Sequence, residues 1–176
     1  MPESNGLVLR AQLASYMKCG TGDAAEFKLI GEGFTAFPIA LNPKEYTRKY
    51  INHITEQSDV IGYAPSVSYS CDCISDDPVV QEIMAITDAE ALGTETRRDI
   101  VTVNLWQKDE NGKCPAYLRT FAIIPAGKGD GTDALVYTGT MKAASDQIKG
   151  TFDTATNTFT SDAEAAAAAA AAQNNS

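Results

Sequence analysis

The sequence predicts a mainly β protein, a β-sandwich or partial barrel with one flanking α-helix at about 78–92. Three observations carry that expectation. Residues 60–71 and 100–106 alternate apolar and polar side chains, the period-two pattern of half-buried strands. Between them lies an amphipathic stretch opened by Asp77-Pro78, an N-cap followed by a proline where no amide hydrogen is needed. After it, repeated turn signals divide the chain into short strands.

In chain order, residues 1–27 are weakly patterned and read as an N-terminal arm. Two strand-like pieces follow over 27–41, separated by Gly31-Glu32-Gly33. Asn42-Pro43 then breaks the chain before a basic, aromatic stretch containing Lys44, Tyr46, Arg48, Lys49, Tyr50 and His53. This stretch has two readings: a nucleic-acid contact, or a strand or loop that meets the acidic segment of its own or another copy. Three cations are few for a salt-resistant phosphate footprint, which favours the second.

The strand over 60–71 puts Ile61, Tyr63, Val67 and Tyr69 on one face and Gly62, Ala64, Ser66, Ser68 and Ser70 on the other. Pro65 places it at an edge or a bulge. In the helix, Val79, Val80, Ile83, Met84 and Ile86 form the packing face, and Gly93 is the expected C-terminal stop. The strand over 100–106 sets Val101, Val103 and Leu105 against Thr102, Asn104 and Trp106. Asn111-Gly112 marks a hairpin leading to a strand over 115–125. The glycine-rich 127–133 reads as a flexible connection, and strands follow over 135–143, 149–152 and 158–160. Eight alanines, 165–172, are competent for helix but have no amphipathic face. The expected organisation is an arm at 1–27, a β-domain at 28–160 with a loop at 42–58 and the helix at 77–92, and an alanine-rich tail at 161–176.

Composition narrows the function. The formal charge is −9, from 14 cations and 23 anions. Nine of those carboxylates lie between Ile54 and Thr96, a stretch with no lysine or arginine. Such a surface argues against tight phosphate binding. No secretory leader or membrane span is expected. His53, Cys71, Cys73 and Cys114 have metal-ligating atoms but no ligand spacing, so reduced thiols and no metal or other cofactor are expected. A single histidine with no nucleophile-elbow pattern gives no acid–base set, so no enzyme and no catalytic residue is expected.

The order of certain segments is similar to that of the tail tube (major tail) proteins of long-tailed bacteriophages and related prophages. The carriers are Asn42-Pro43-Lys44-Glu45, Arg48-Lys49-Tyr50-Ile51-Asn52, Ser58-Asp59-Val60-Ile61-Gly62-Tyr63, Ser75-Asp76-Asp77-Pro78-Val79, Ile100-Val101-Thr102-Val103, Val136-Tyr137-Thr138-Gly139, Lys149-Gly150-Thr151-Phe152 and Phe159. The resemblance spans residues 30–160. It implies a structural virion protein whose strands complete a multi-subunit inner barrel in hexameric rings. The rings stack into a helical tube through which the genome is ejected, and type VI secretion tubes and contractile injection systems share that architecture. The implied location is the virion tail, assembled in the host cytoplasm. The implied partners are further copies of the chain and the tape-measure, tail-terminator and distal tail proteins, with DNA passing through unbound and no membrane contact. By position, Lys44, Tyr46, Arg48, Lys49, Tyr50 and His53 become inter-ring contacts.

A conduit must not hold its cargo, because each neutralised phosphate adds affinity through counterion release. The small polar faces Ser66, Ser68, Ser70 and Thr102, Asn104 are therefore the expected lumen-facing positions. Few charges guard the strands at 60–70 and 118–124, which favours closure by neighbouring copies. The competing reading is a monomeric ligand-binding or adhesion β-sandwich, against which the scattered tyrosines and lone Trp106 count mildly.

Overall fold

A computed structural model describes residues 6–173 of the chain. Its strands are β1 (Leu13–Cys19), β2 (Glu26–Leu29), β3 (Phe34–Ala36), β4 (Ile39–Ala40), β5 (Pro43–Arg48), β6 (Gln57–Tyr63), β7 (Ser66–Asp72), β8 (Arg97–Asn104), β9 (Lys113–Asp130), β10 (Val136–Ala143), β11 (Ile148–Asp153) and β12 (Thr158–Ser161). The helices are α1 (Pro78–Asp88) and α2 (Asp162–Gln173). The protein is mainly β, a curled half-barrel sheet with α1 on its flank. Residues 1–5 of the expected arm and 174–176 of the tail lie outside the described residues.

β9 is the spine. Along one edge it pairs with β8, from Val103 opposite Ala116 to Arg97 opposite Ala122. Its other edge is divided: β11 pairs with its first part and β10 with its last. Where the two meet, the Ala144 amide donates to the Thr120 carbonyl (2.8 Å) and the Thr120 amide to Ser145 Oγ (2.9 Å). The sheet therefore forks, with β10-β7-β3 on one branch and β11-β12 on the other, and β8-β1-β2 beyond β9.

Each face of this sheet buries its own core. On one face α1 lays Val79, Ile83 and Ile86 against Met17, Cys19, Tyr69, Cys71, Ile100, Ile123 and Met141. On the other, Tyr16, Val101, Val103, Cys114 and Ala116 enclose Phe152. The Phe152 ring stacks 4.6 Å from Tyr16 and meets Phe27 edge-on at 6.0 Å. Gly150, inside β11, lets β12 lie close against it: a Cβ there would strike the Thr160 carbonyl and the Phe159 ring.

Several expectations need correction. Residues 13–19 are not arm: β1 sits between β2 and β8, and Ala14, Tyr16, Met17 and Cys19 are all buried. Met17 and Cys19 serve one core and Ala14 and Tyr16 the other, so both faces are covered and no alternation survives to be read. The expected strand over 60–71 is two strands, parted at Ala64-Pro65. Trp106 lies in the short 3-10 turn Leu105–Gln107, not on a strand face. The connection at 127–133 is mostly strand, since β9 runs to Asp130.

The helix stops before Gly93. Glu90 takes the left-handed conformation (φ 48°), with its amide bonded to Thr87 O and the Ala91 amide to Ile86 O. That is the pattern of a Schellman cap with glutamate in the place usually held by glycine. At the other end Asp77 caps as expected, accepting from the amides of Val79 (2.8 Å) and Val80 (2.9 Å). The alanine tail is also nucleated by a cap. Ser161 Oγ accepts from the Glu164 amide while the Glu164 carboxylate accepts from the Ser161 amide, a reciprocal capping box. Those bonds hold the Glu164 carboxyl below its ordinary range.

Candidate functional site

The part of the chain least explained by its own fold is a ribbon. β4 pairs with β7 (Ile39 opposite Val67, Ala40 opposite Ser66), and β5 pairs with β6 (Pro43 opposite Tyr63, Lys44 opposite Gly62). The Ala64 amide donates to Asn42 O between these ladders, so register is unbroken across the junction. β4–β5 and β6–β7 are thus one long two-stranded ribbon. Its lower half belongs to the main sheet and its upper half stands clear. Asn42 in the left-handed region (φ 45°) and Pro65 bend it, while the Asn42 amide group donates to Ala64 O and Ser66 Oγ. A register shift between Lys44 and Glu45 leaves Ile61 as a bulge.

The upper ribbon exposes Tyr46, Tyr50, Ile51, Ile54, Val60, Ile61 and Tyr63. An isolated two-stranded hairpin is marginal in water, so these side chains lack the cover such a ribbon needs. The expected inner face of Ile61 and Tyr63 is not buried: they are 65% and 59% exposed, against 1% for Val67 and 3% for Tyr69 on the lower ribbon. Lys44, Tyr46, Arg48, Lys49, Tyr50 and His53 all lie on this projection and are exposed. The Arg48 guanidinium stacks 5.1 Å from the centre of the Tyr46 ring, and Tyr50 meets His53 edge-on at 6.2 Å. Thr47 and Ser58 hydroxyls bond across the strands at 2.8 Å.

The expected lumen positions do not share a face. Ser66, Ser68 and Ser70 lie opposite Lys142, Thr140 and Thr138 on the face away from α1. Thr102 pairs with Tyr117 and lines a groove on the α1 face. A single bore cannot take both sets. Asn104 bonds Gln107 near a sheet end, its side-chain amide donating to Gln107 Oε1. Of the stretches at 60–70 and 118–124, the parts in β7 and β9 are paired on both sides, whereas residues 60–63 lie in β6, which pairs only with β5 and keeps one open edge. Among the described residues the edges of the main sheet are β2, with its Glu26–Lys28 ion pair, β12 and the β3–β4 side.

The groove beside α1 has a volume of about 190 Å³. Phe37, Ile39 and Leu41 wall one side, Val67, Ile100 and Phe121 form the floor, and Arg119 stands at the rim. The residue types considered for metal are scattered: Cys71 and Cys114 lie in different cores and His53 on the ribbon. Among the described residues no three metal-ligating side chains converge. Burial pushes the Cys71 thiol up to about 11 and Cys19 to about 12, so both are inert neutral thiols near neutral pH. Val79, Val80, Ile83 and Ile86 are buried and Met84 is half-buried against the same core. Sequence reasoning missed the groove, because its walls come from distant segments.

No family model matches the sequence, and no curated protein matches it. Solved structures do. A chain in the tail of an empty GTA particle, computed with helical refinement and C6 symmetry, superposes with a TM-score of 0.53 at 14% identity, over 80% of this chain and 97% of that one. A chain in the sixfold-symmetrised baseplate of the anti-feeding prophage gives 0.49 at 10% identity, over 83% of this chain and 96% of that one. A chain in the tube-terminating cap of the same prophage gives 0.44 at 11% identity, over 81% and 91%. At these identities the likeness is one of fold alone: the chain shares the architecture of the GTA tail chain.

Proposed function

We propose that this chain is the structural subunit of a tail tube: copies join into hexameric rings, the rings stack, and the genome passes along the bore. The observation that carries this reading is the upper ribbon, which exposes apolar side chains along its length and finds no cover among the described residues of its own chain. Copies of the chain are the cover that a self-assembling subunit provides, and the C6 symmetry of the GTA tail that shares the fold supports six of them. The ribbon, with Lys44, Tyr46, Arg48, Lys49, Tyr50 and His53, is the contact between successive rings. The bore is lined by the face that carries Ser66, Ser68, Ser70, Thr138 and Thr140, whose neutral hydroxyls give a polyanion little to grip, with Lys142 as the one cation of these two rows, at their end opposite Ser66. Thr102 and Asn104 have no part in the bore. The subunit works without cofactor or turnover, in the virion tail, with tape-measure, tail-terminator and distal tail proteins at the tube's ends and interior.

Negative-stain microscopy of the purified chain tests this. Rings or tubes of uniform bore are expected; an 18.7 kDa monomer at every concentration and salt would overturn it. A second measurement addresses the bore. Lysine at Ser68 and Ser70 should leave assembly intact and slow genome release, and normal infectivity of such particles would remove the serine face from the lumen.

A further inference from the structure

We propose that the tip of the upper ribbon docks on the opposite end of a second copy, where Glu32, Asp72, Asp76 and Asp133 gather beside Leu135 at the far end of β7. The inference rests on the tube reading above and names the surface that the ribbon meets when rings stack.

The tip is apolar and cationic. From Tyr46 to Thr55 the chain carries Arg48, Lys49 and His53 and no carboxylate. Ile51 and Ile54 are exposed beside them. Neither Arg48 nor Lys49 takes part in an ion pair among the described residues.

The far end of the same strands, the foot, is apolar and anionic. Three segments meet there: the Asp72 amide donates to Gly33 O (2.8 Å) and the Cys73 amide to Leu135 O (2.7 Å). Glu32 and Asp133 are thereby brought to the end of β7. A turn closed by the Asp77 amide on Ile74 O (3.2 Å) holds Asp76 at the surface next to them. Segments 30–34, 72–77 and 130–136 contain no lysine or arginine. None of the four carboxylates is in an ion pair among the described residues, and Lys128, two residues up β9, is already paired with Asp88. Leu135 is exposed, so the foot has an apolar side chain to set against Ile51 or Ile54.

One chain cannot close this contact on itself. From Gln57 to Asp72 the ribbon and β7 run for about 50 Å at the usual rise of a strand, and the tip lies beyond Gln57. Tip and foot are therefore opposite ends of one subunit, with opposite charge. A contact between two different surfaces is heterologous, and one that joins opposite ends extends by repetition into a filament. Complementary charge also fixes orientation. Tip against tip would set Arg48 and Lys49 against their own copies, so every subunit points the same way along the stack.

The test uses the full-length chain and three variants. The tip variant carries Arg48→Glu and Lys49→Glu, the foot variant Glu32→Lys and Asp133→Lys, and the swapped variant all four changes. The four residues are exposed and lie away from the α1 cap, and melting temperatures report whether each variant stays folded. Negative-stain microscopy with sedimentation velocity is expected to show rings in both double variants. The concentration needed for tubes should rise about tenfold or more in each. The swapped variant should recover most of that loss. An equal mixture of the two double variants should recover it too, because the acidic tip of one fits the basic foot of the other. Wild-type chain that forms neither rings nor tubes would sink the tube reading and this contact with it. Wild-type tubes that either double variant forms equally well, or a swapped variant and a mixture that recover nothing, would sink the contact alone.

Discussion

The two halves of the ribbon are alike in sequence and opposite in fate. Val67-Ser68-Tyr69 and Ile61-Gly62-Tyr63 have the same alternation, and they lie in one continuous ladder. Below the Pro65 bend, α1 lies over the apolar side chains; above it, none of the described residues does. Alternation reports that a strand has an apolar face, and the covering partner is a separate matter. The lower half stabilises the subunit, while the upper half is available to stabilise an assembly.

Substitutions can sharpen or break this division. The largest effect is expected in the body. Ile83→Asp places an unpaired carboxylate in the core under α1, and denaturant titration should show a loss of about 4 kcal/mol or more, or no folded protein at all. Retained, assembly-competent protein would show that α1 does not seal the sheet. Gly150→Ala should cost about 3 kcal/mol, because the added methyl meets the Thr160 backbone and the Phe159 ring with no room to move. A smaller, local effect belongs to the tail. Ser161→Ala removes half of the capping box and should cost about 1 kcal/mol of helix stability, seen as lost helical circular dichroism. Acid should act in the same direction. The Glu164 carboxyl is held below its ordinary value, so its contribution is present above that value and disappears as pH falls through the lowered one. Helix content that stays constant through this acid range would mean the box is not formed.

The smallest effect on stability should come from the upper ribbon, and it decides the comparison. Serine at Val60, Ile61 and Tyr63 together should change the unfolding free energy of the isolated chain by no more than about 0.5 kcal/mol, as for exposed positions generally. The same variant should no longer form rings or tubes. A large loss of monomer stability would mean the ribbon packs on its own body; undisturbed assembly would mean its apolar residues face no neighbour.

Much of the architecture was legible beforehand because it is written in local chemistry. Asp77-Pro78 and the spacing of Val79, Ile83 and Ile86 give a capped, one-sided helix, and Asn111-Gly112 gives the turn before β9. The resemblance over residues 30–160 and the fold likeness to the GTA tail chain point the same way. What was missed has identifiable causes. β1 has no period because both of its faces are buried. The end of α1 was placed at Gly93 because Glu90 in a left-handed conformation runs against residue preference. The two polar sets expected to share one lumen face opposite ways, which only pairing register reveals.

By itself, the sequence determined a β-rich chain with a capped helix over its acidic middle, since each of these depends on neighbours in the chain or on composition. Only the tertiary structure decided which alternating strand is buried, which serine face is open, and that Phe37, Val67, Ile100 and Arg119 meet around one groove. Burial and groove shape come from long-range pairing across β9, whose divided edge forks the sheet. Such pairing is a property of register between distant segments, and no local run of residues encodes it.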